Sequence, residues 1–422
     1  MTEHAAVQVI GFGAAALGFP IAAERIGVLD AWLSAGAVFI DREGDMGRLA
    51  RERLAFTINS NSLGGDFVNA IPISGIFADL SGTTSFRRLV DSWRLPVPLW
   101  WVTELLSEVQ ARIVKEFERY PRCRLETGRN VACVRLDHRE TFTSYDRLGA
   151  AIASSRSIVF ANGADERSVN TEPTALTLLA GQVLKRDWGD LPQLVATGAP
   201  IQIIGGSHSA FSAAVLLRDA FAGVLKSGQI TVVCRRVKLY YESMHAAALD
   251  GYAFRPEELD PETFQLNRFD GLRGEAKVLH GAIASGQEKR VRVCVAAPTV
   301  VDPKRVVVLA TGYETRRIPL IDADGRDVQV SSVDGKVDVN DSGQLLDTRG
   351  RSVPNAFGIG IGYAPNNRVG AREVSIGLFH GKAAERILRA IHRTDVRNYD
   401  TKPSHGSEAL NGDRQRRATS PR

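Results

Sequence analysis

The stretch Val7-Gln8-Val9-Ile10-Gly11-Phe12-Gly13-Ala14-Ala15-Ala16-Leu17-Gly18-Phe19-Pro20-Ile21-Ala22-Ala23 decides the fold. Val7 to Ile10 reads as a short buried strand, and Ala14 to Ile26 reads as a helix. Between them lies a G-x-G-x-x-A turn, Gly11, Gly13 and Ala16, with Gly18 two residues on. Gly11 permits the tight turn. Gly13 lacks a Cβ, so a diphosphate can approach the backbone, and Ala16 allows close packing of helix on strand. The helix N-terminus presents N–H groups and partial positive charge to a phosphate. The next apolar strand, Ala37 to Asp41, ends in a carboxylate placed for a ribose hydroxyl. The same apolar run could be taken for a secretory leader, but Met1 to Ala6 contain Glu3 and neither Lys nor Arg, so the basic n-region is missing. Elsewhere no apolar run is long enough to span a membrane.

A second strand–turn–helix follows from Pro200. Ile201 to Ile204 is the strand, Gly205-Gly206-Ser207-His208-Ser209 the turn, and Ala210 to Lys226 the helix. Its glycines are adjacent, and Ser207 stands in the place of the motif's second glycine. The hydroxyls of Ser207 and Ser209 are candidates for phosphate contact. The following strand, Ile230 to Cys234, runs into Arg235-Arg236 where the first unit has Asp41. A guanidinium there suits a 2′-phosphate, as in NADPH, better than a bare ribose. The bland alternatives are a glycine-rich packing turn and a solvated basic strand end.

Composition bounds the rest. The chain has 422 residues, with 53 basic and 48 acidic side chains and a formal charge of +5. That excess is too weak to indicate a nucleic-acid partner. Hydrophobic residues make up 44% and charged residues 24%, ordinary globular values. The four cysteines, Cys123, Cys133, Cys234 and Cys294, form no C-x-x-C or C-x4-C pair. A zinc cage and a dithiol redox centre are therefore disfavoured, no metal site is expected, and a reducing, cytoplasmic location fits. Val102 to Tyr120 has helical spacing, with Thr103 as its expected cap and Pro121 as its stop. Trp93, Trp100 and Trp101 read as core, while Tyr240, Tyr241 and His245 are candidates for stacking on an adenine.

Two further segments complete a pattern. Val308-Leu309-Ala310-Thr311-Gly312-Tyr313, with Asp302 upstream, resembles the D-x3-(L/F)-A-T-G-Y signature of the flavin-dependent N-hydroxylating monooxygenases, which act on amines such as the side chains of ornithine or lysine. Ser157 to Gly163 (SIVFANG) resembles the companion A-T-G strand end, with Asn162 replacing threonine, and Asn355 to Gly362 (NAFGIGIG) the late flavin-contacting segment. The resemblance covers roughly residues 5 to 395. It implies an α/β fold of two Rossmann-like domains, the NAD(P) domain inserted into the FAD domain: 1–195, 196–300 and 301–397, with 398–422 a disordered tail. It implies FAD held by Gly11, Gly13, Ala16, Gly18, Asp41, Gly163, Thr311, Gly312 and Gly362, and NADPH held by Gly205, Gly206, Ser207, Ser209, Arg235 and Arg236. It also implies a C4a-hydroperoxide of the flavin, formed with O2, that hydroxylates a small amine or amino-acid-like substrate.

The substrate is left open. Asn61, in the segment Asn59 to Phe67, and Asn366, Asn367 and Arg368 are candidate substrate contacts, and no catalytic acid or base is assigned. Two other functions remain: an NAD(P)H-dependent flavin dehydrogenase or oxidase that does not oxygenate, and a non-catalytic nucleotide-binding protein. Neither a nucleic-acid partner nor a membrane span is expected, and the oligomeric state is not readable.

Overall fold

A computed structural model describes residues 4–43, 59–169, 176–296, 305–363 and 375–400, with backbone alone at 59–61 and 393–400. Two sheets organise it. In the first, parallel strands run in the order Arg124–Glu126, Ala37–Ile40, Ala5–Ile10, Ala151–Phe160 and Ser352–Gly358. The long strand Ala151–Phe160 also pairs antiparallel with Phe142–Tyr145, carrying the sheet on into a ribbon through Cys133–Leu136. The strands alternate as period two requires. Val9, Phe39 and Val159 pack against helices Gly18–Arg25 and Leu99–Phe117, while Ile10, Val38, Ile40 and Phe160 face a second core with Val134, Phe142 and Leu345.

The second sheet is wholly parallel, in the order Leu176–Leu179, Val306–Leu309, Ile201–Ile204, Ile230–Cys234 and Val291–Val295. Its membership corrects the boundaries expected from the sequence. Leu176–Leu179 and Val306–Leu309 hydrogen-bond within this sheet, so the inserted unit is wider than 196–300 on both sides. The two chain crossings between the units pair with each other, Ala164–Glu166 antiparallel to Tyr313–Thr315. At the other end, helix Ala384–Asp400 carries the chain past the expected limit of 397, and 401–422 lie outside the described residues.

The two units repeat one construction. Gly11 donates to the Ile40 carbonyl (2.7 Å) and Ala161 to that of Ile10 (2.8 Å). In the second unit Gly205 donates to Val233 (2.9 Å) and Ala310 to Ile204 (2.8 Å). Each first glycine has positive φ, +98° at Gly11 and +141° at Gly205. Each also lies hard against the end of the neighbouring strand: a Cβ would sit 2.4 Å from the Ala161 oxygen at Gly11, and 2.3 Å from the Ala310 oxygen at Gly205. Each first strand buries a glutamine three residues before its glycine. Gln8 donates to the Phe142 carbonyl (3.0 Å) and accepts from the Ser144 hydroxyl (2.6 Å), and Gln202 accepts from Arg305 (2.6 Å). Buried amides paired in this way avoid a desolvation penalty and fix the register of the partner segment.

Backbone conformation and contact both forbid a side chain at these glycines. Gly205→Ala is expected to lose more than about 1 kcal/mol of stability in urea denaturation, whereas Gly223→Ala, with nothing within 4 Å of the new Cβ, stays near the unaltered protein.

Candidate cofactor and substrate sites

A cavity of about 800 Å³ opens at the carboxyl ends of the first sheet, walled among others by Gly11, Phe12, Gly13, Asp41, Gly163 and Arg129. This is where ligands bind on doubly wound sheets. The helix begins later than its spacing suggested. Residues 14–17 form a turn, with Ala16 and Leu17 donating to the Gly13 carbonyl (3.0 and 3.3 Å), and the helix proper is Gly18–Arg25. Gly13 is open on its ligand side, where a Cβ would meet nothing within 4 Å. Asp41 uses its carboxylate to hold this loop: Oδ2 accepts from Phe12 N–H (2.7 Å) and Oδ1 from Glu43 N–H (2.9 Å). An ionised carboxylate has further lone pairs for a ribose hydroxyl. An open Gly13 and an acid at the strand end fit the diphosphate and ribose of a dinucleotide.

Other expected positions serve packing. Ala16 and Gly18 are buried, and a Cβ on Gly18 would lie 2.3 Å from the Phe379 carbonyl oxygen. Gly362 packs against Thr315, whose hydroxyl donates to the Gly362 carbonyl (2.6 Å). Gly206 lies against the Arg236 carbonyl and the Cys234 side chain. Thr311 donates its hydroxyl to the Arg167 carbonyl (2.7 Å) and Gly312 has φ +91°, so both shape the crossing between the units. Asn162, in the threonine position of the A-T-G pattern, accepts from the Tyr363 hydroxyl (2.9 Å). Tyr363 is buried, which pushes its phenol pKa up.

A second cavity, about 740 Å³, lies between the units. Ser207, His208 and Ser209 come from the second turn, Ser62, Leu63 and Asp66 from the first unit, Tyr240 and Arg273 from the loop region after Arg236, and Gly381 and Lys382 from near the C-terminus. Ser207 is the N-cap of helix His208–Ala220. The Arg273 guanidinium carbon lies over the Tyr240 ring, 3.7 Å from its centroid, and the side chain donates to the Arg268 carbonyl (2.6 Å). Burial lowers its pKa. Sequence reading did not single out Arg273, because only the folded loop brings it beside the turn. The segment Asn59–Leu63 forms a strand followed by helix Gly64–Val68, and it carries Asp66 into this cavity. The side chain of Asn61 and all of Asp302, Asn366, Asn367 and Arg368 lie outside the described residues.

The structure places several of the expected residues differently. Arg236 is engaged by the carboxylate of Glu258, whose side chain is 1% exposed and which also accepts from Tyr252 (2.9 Å) and Asn267 (3.0 Å). Arg235 is exposed, so the pair divides into one structural and one accessible cation. Tyr241 is core, donating to Asp250, and only Tyr240 faces the cavity. Thr103 lies inside helix Leu99–Phe117 and donates to the Trp100 carbonyl (3.0 Å), so Pro98 occupies the cap. Of the tryptophans, Trp101 packs against the core as expected, while Trp93 is 45% exposed and covers Gly65 and Trp100 lies at the surface; Trp100 and Trp101 flank the Arg88 guanidinium at 5.0 and 5.1 Å.

Two units, each with a glycine turn after a buried parallel strand and a cavity at that turn, make up a fold shared with solved structures. Among solved structures the chain is similar to the ornithine N-hydroxylase of Kutzneria sp. 744, a complex with reduced FAD, NADP+ and L-ornithine (TM-score 0.60, 14% identity, 93% of this chain and 100% of that one). It is also similar to L-lysine 6-monooxygenase from Pseudomonas syringae (TM-score 0.61, 17% identity, 92% and 99%). A curated relative, the CMP-5′-(3-aminopropyl)phosphonate hydroxylase of Streptomyces rubellomurinus, is 28% identical over 434 residues, covering 94% of this chain and 99% of the relative. No family model matches the chain. Among the described residues no cluster suits a metal ion, and no helix is long and apolar enough to cross a membrane.

Removing Arg236 strands a buried carboxylate. Arg236→Ala is expected to lose about 3 kcal/mol in chemical denaturation, and Arg235→Ala less than about 0.5 kcal/mol.

Proposed function

We propose that this protein is an FAD- and NADPH-dependent monooxygenase that hydroxylates the nitrogen of a primary amine on a small molecule. The observation that carries this reading is the pair of dinucleotide turns opening on separate cavities, in a chain similar over nearly its whole length to an aminopropylphosphonate hydroxylase. FAD occupies the first cavity, with its diphosphate over Gly13 and its ribose at Asp41. NADPH approaches from the second turn, with Ser207 and Ser209 at its diphosphate and Arg235 at its 2′-phosphate. The amine enters the space that remains in the second cavity. Its substrate, like that named for the Streptomyces relative, is an amine carried by an anionic group rather than a bare alkylamine.

When bound, reduced FAD supplies the activation of O2. The protein binds the two dinucleotides, orients them and holds the amine near them. Overall, R–NH2, O2, NADPH and one proton give R–NHOH, NADP+ and water: one oxygen atom of O2 enters the new N–O bond, the other ends in water, and NADPH supplies the two electrons as hydride. We place this chemistry in the cytoplasm, a reading supported by four cysteines that are all unpaired. No nucleic acid takes part.

The test is NADPH oxidation with O2 uptake and product analysis on a panel of aminoalkyl phosphonates, their nucleotide esters, diamines and amino acids. The expected result is a hydroxylamine formed in proportion to NADPH consumed. Oxidation of NADPH with every amine unchanged supports the dehydrogenase or oxidase reading instead, and a protein without FAD affinity supports the non-catalytic one. Arg235→Ala is expected to raise the KM for NADPH at least about tenfold, some 1.4 kcal/mol, and to leave that for NADH nearly unchanged.

A further inference from the structure

The first glycine turn is held by two side chains outside the glycine motif, Gln110, which also walls the first cavity, and His380. Gln110, on helix Leu99–Phe117 and 5% exposed, donates from Nε2 to the Phe12 carbonyl (2.9 Å). His380, fully buried, bonds through Nε2 to the Ala14 carbonyl (2.7 Å). A carbonyl only accepts, so Nε2 carries the proton. Nδ1 is buried and has no hydrogen-bond partner among the described residues, so the ring is the neutral tautomer. Burial pushes its pKa down to about 4, in the same direction.

These two bonds fix more than two carbonyls. In a planar trans peptide the C=O of one residue and the N–H of the next point in opposite directions. Drawing the Phe12 carbonyl onto Gln110 turns the Gly13 N–H away from that helix, and drawing the Ala14 carbonyl onto His380 turns the Ala15 N–H away from the C-terminal segment. Gly13 walls the first cavity, and its ligand side is open.

His380 also belongs to a second structure. It lies in the turn Phe379–Ala383, where Gly381 leaves helical geometry (φ −96°, ψ −117°) and kinks the chain between two helices. Arg25 donates to the carbonyls of Ala70 (2.9 Å), His380 (2.9 Å) and Gly381 (3.2 Å) and faces Glu385 (3.5 Å). Arg25, Gly381, Lys382 and Glu385 wall the second cavity. The Phe379 carbonyl is the group that packs on Gly18.

We infer that Gln110 and His380 are positioning residues that aim the turn's amides at the FAD diphosphate, and that His380 ties this cradle to the wall of the second cavity. The inference rests on the reading of the first cavity as the FAD site. Each bonds a backbone carbonyl of the turn; His380 does not wall the first cavity, whereas Gln110 does, so His380 is the cleaner case of action through the backbone.

The test is FAD affinity of the apo-protein, read from quenching of flavin fluorescence, beside the unfolding midpoint of the same apo-protein. Affinity of the unaltered protein is measured first. His380→Leu and Gln110→Leu are each expected to weaken FAD binding at least about tenfold. His380→Gln, which keeps an amide donor, is expected to stay within about threefold of the unaltered protein. Should His380→Leu not fold, His380→Gln and Gln110→Leu, on separate elements, carry the comparison. Native-like FAD affinity in the folded leucine variants, or equal loss in His380→Gln and His380→Leu, overturns the inference while leaving the flavin assignment intact. An unaltered protein that binds no FAD overturns both.

Discussion

Both units depend on one close approach, a glycine set against the carbonyl at the end of a neighbouring strand. Gly11 meets Ala161 and Gly205 meets Ala310, each with positive φ and each too close for a Cβ. The contact lets the chain leave one strand, turn within a few residues and lay a helix back on the sheet. The resemblance between SIVFANG and VVLATG is the same requirement met in both units.

The folds of the turns agree, but their ligand faces differ. The first has an open Gly13, with Asp41 bonded to the adjacent amides. In the second, the adjacent Gly206 is filled by the Arg236 carbonyl, and hydroxyls stand where the first turn has bare backbone. The strand after it ends in cations rather than a carboxylate, one held by Glu258 and one exposed. One construction thus yields two electrostatically different turns.

The strands and glycine turns were legible because their signal is local: short apolar runs, glycine spacing, a charge at a strand end. The limits of the inserted unit were not, since Leu176–Leu179 and Val306–Leu309 join its sheet through pairings distant in sequence. The role of Arg236 was hidden for the same reason. A basic pair after a strand looks alike whether it faces solvent or a buried Glu258 over twenty residues on. Gly18, Ala16 and Gly362 fall in motif positions yet serve packing. Gln110, Arg273 and His380 have no motif, because their places beside the turns exist only after distant helices and loops have packed.

The most direct measurement of the central assignment is the origin of the oxygen in the product. Turnover with NADPH under isotopically heavy O2 in ordinary water, followed by mass spectrometry of the amine product, is expected to show one heavy oxygen atom on nitrogen. A product without the label, or an unaltered amine accompanied by hydrogen peroxide alone, would contradict a monooxygenase.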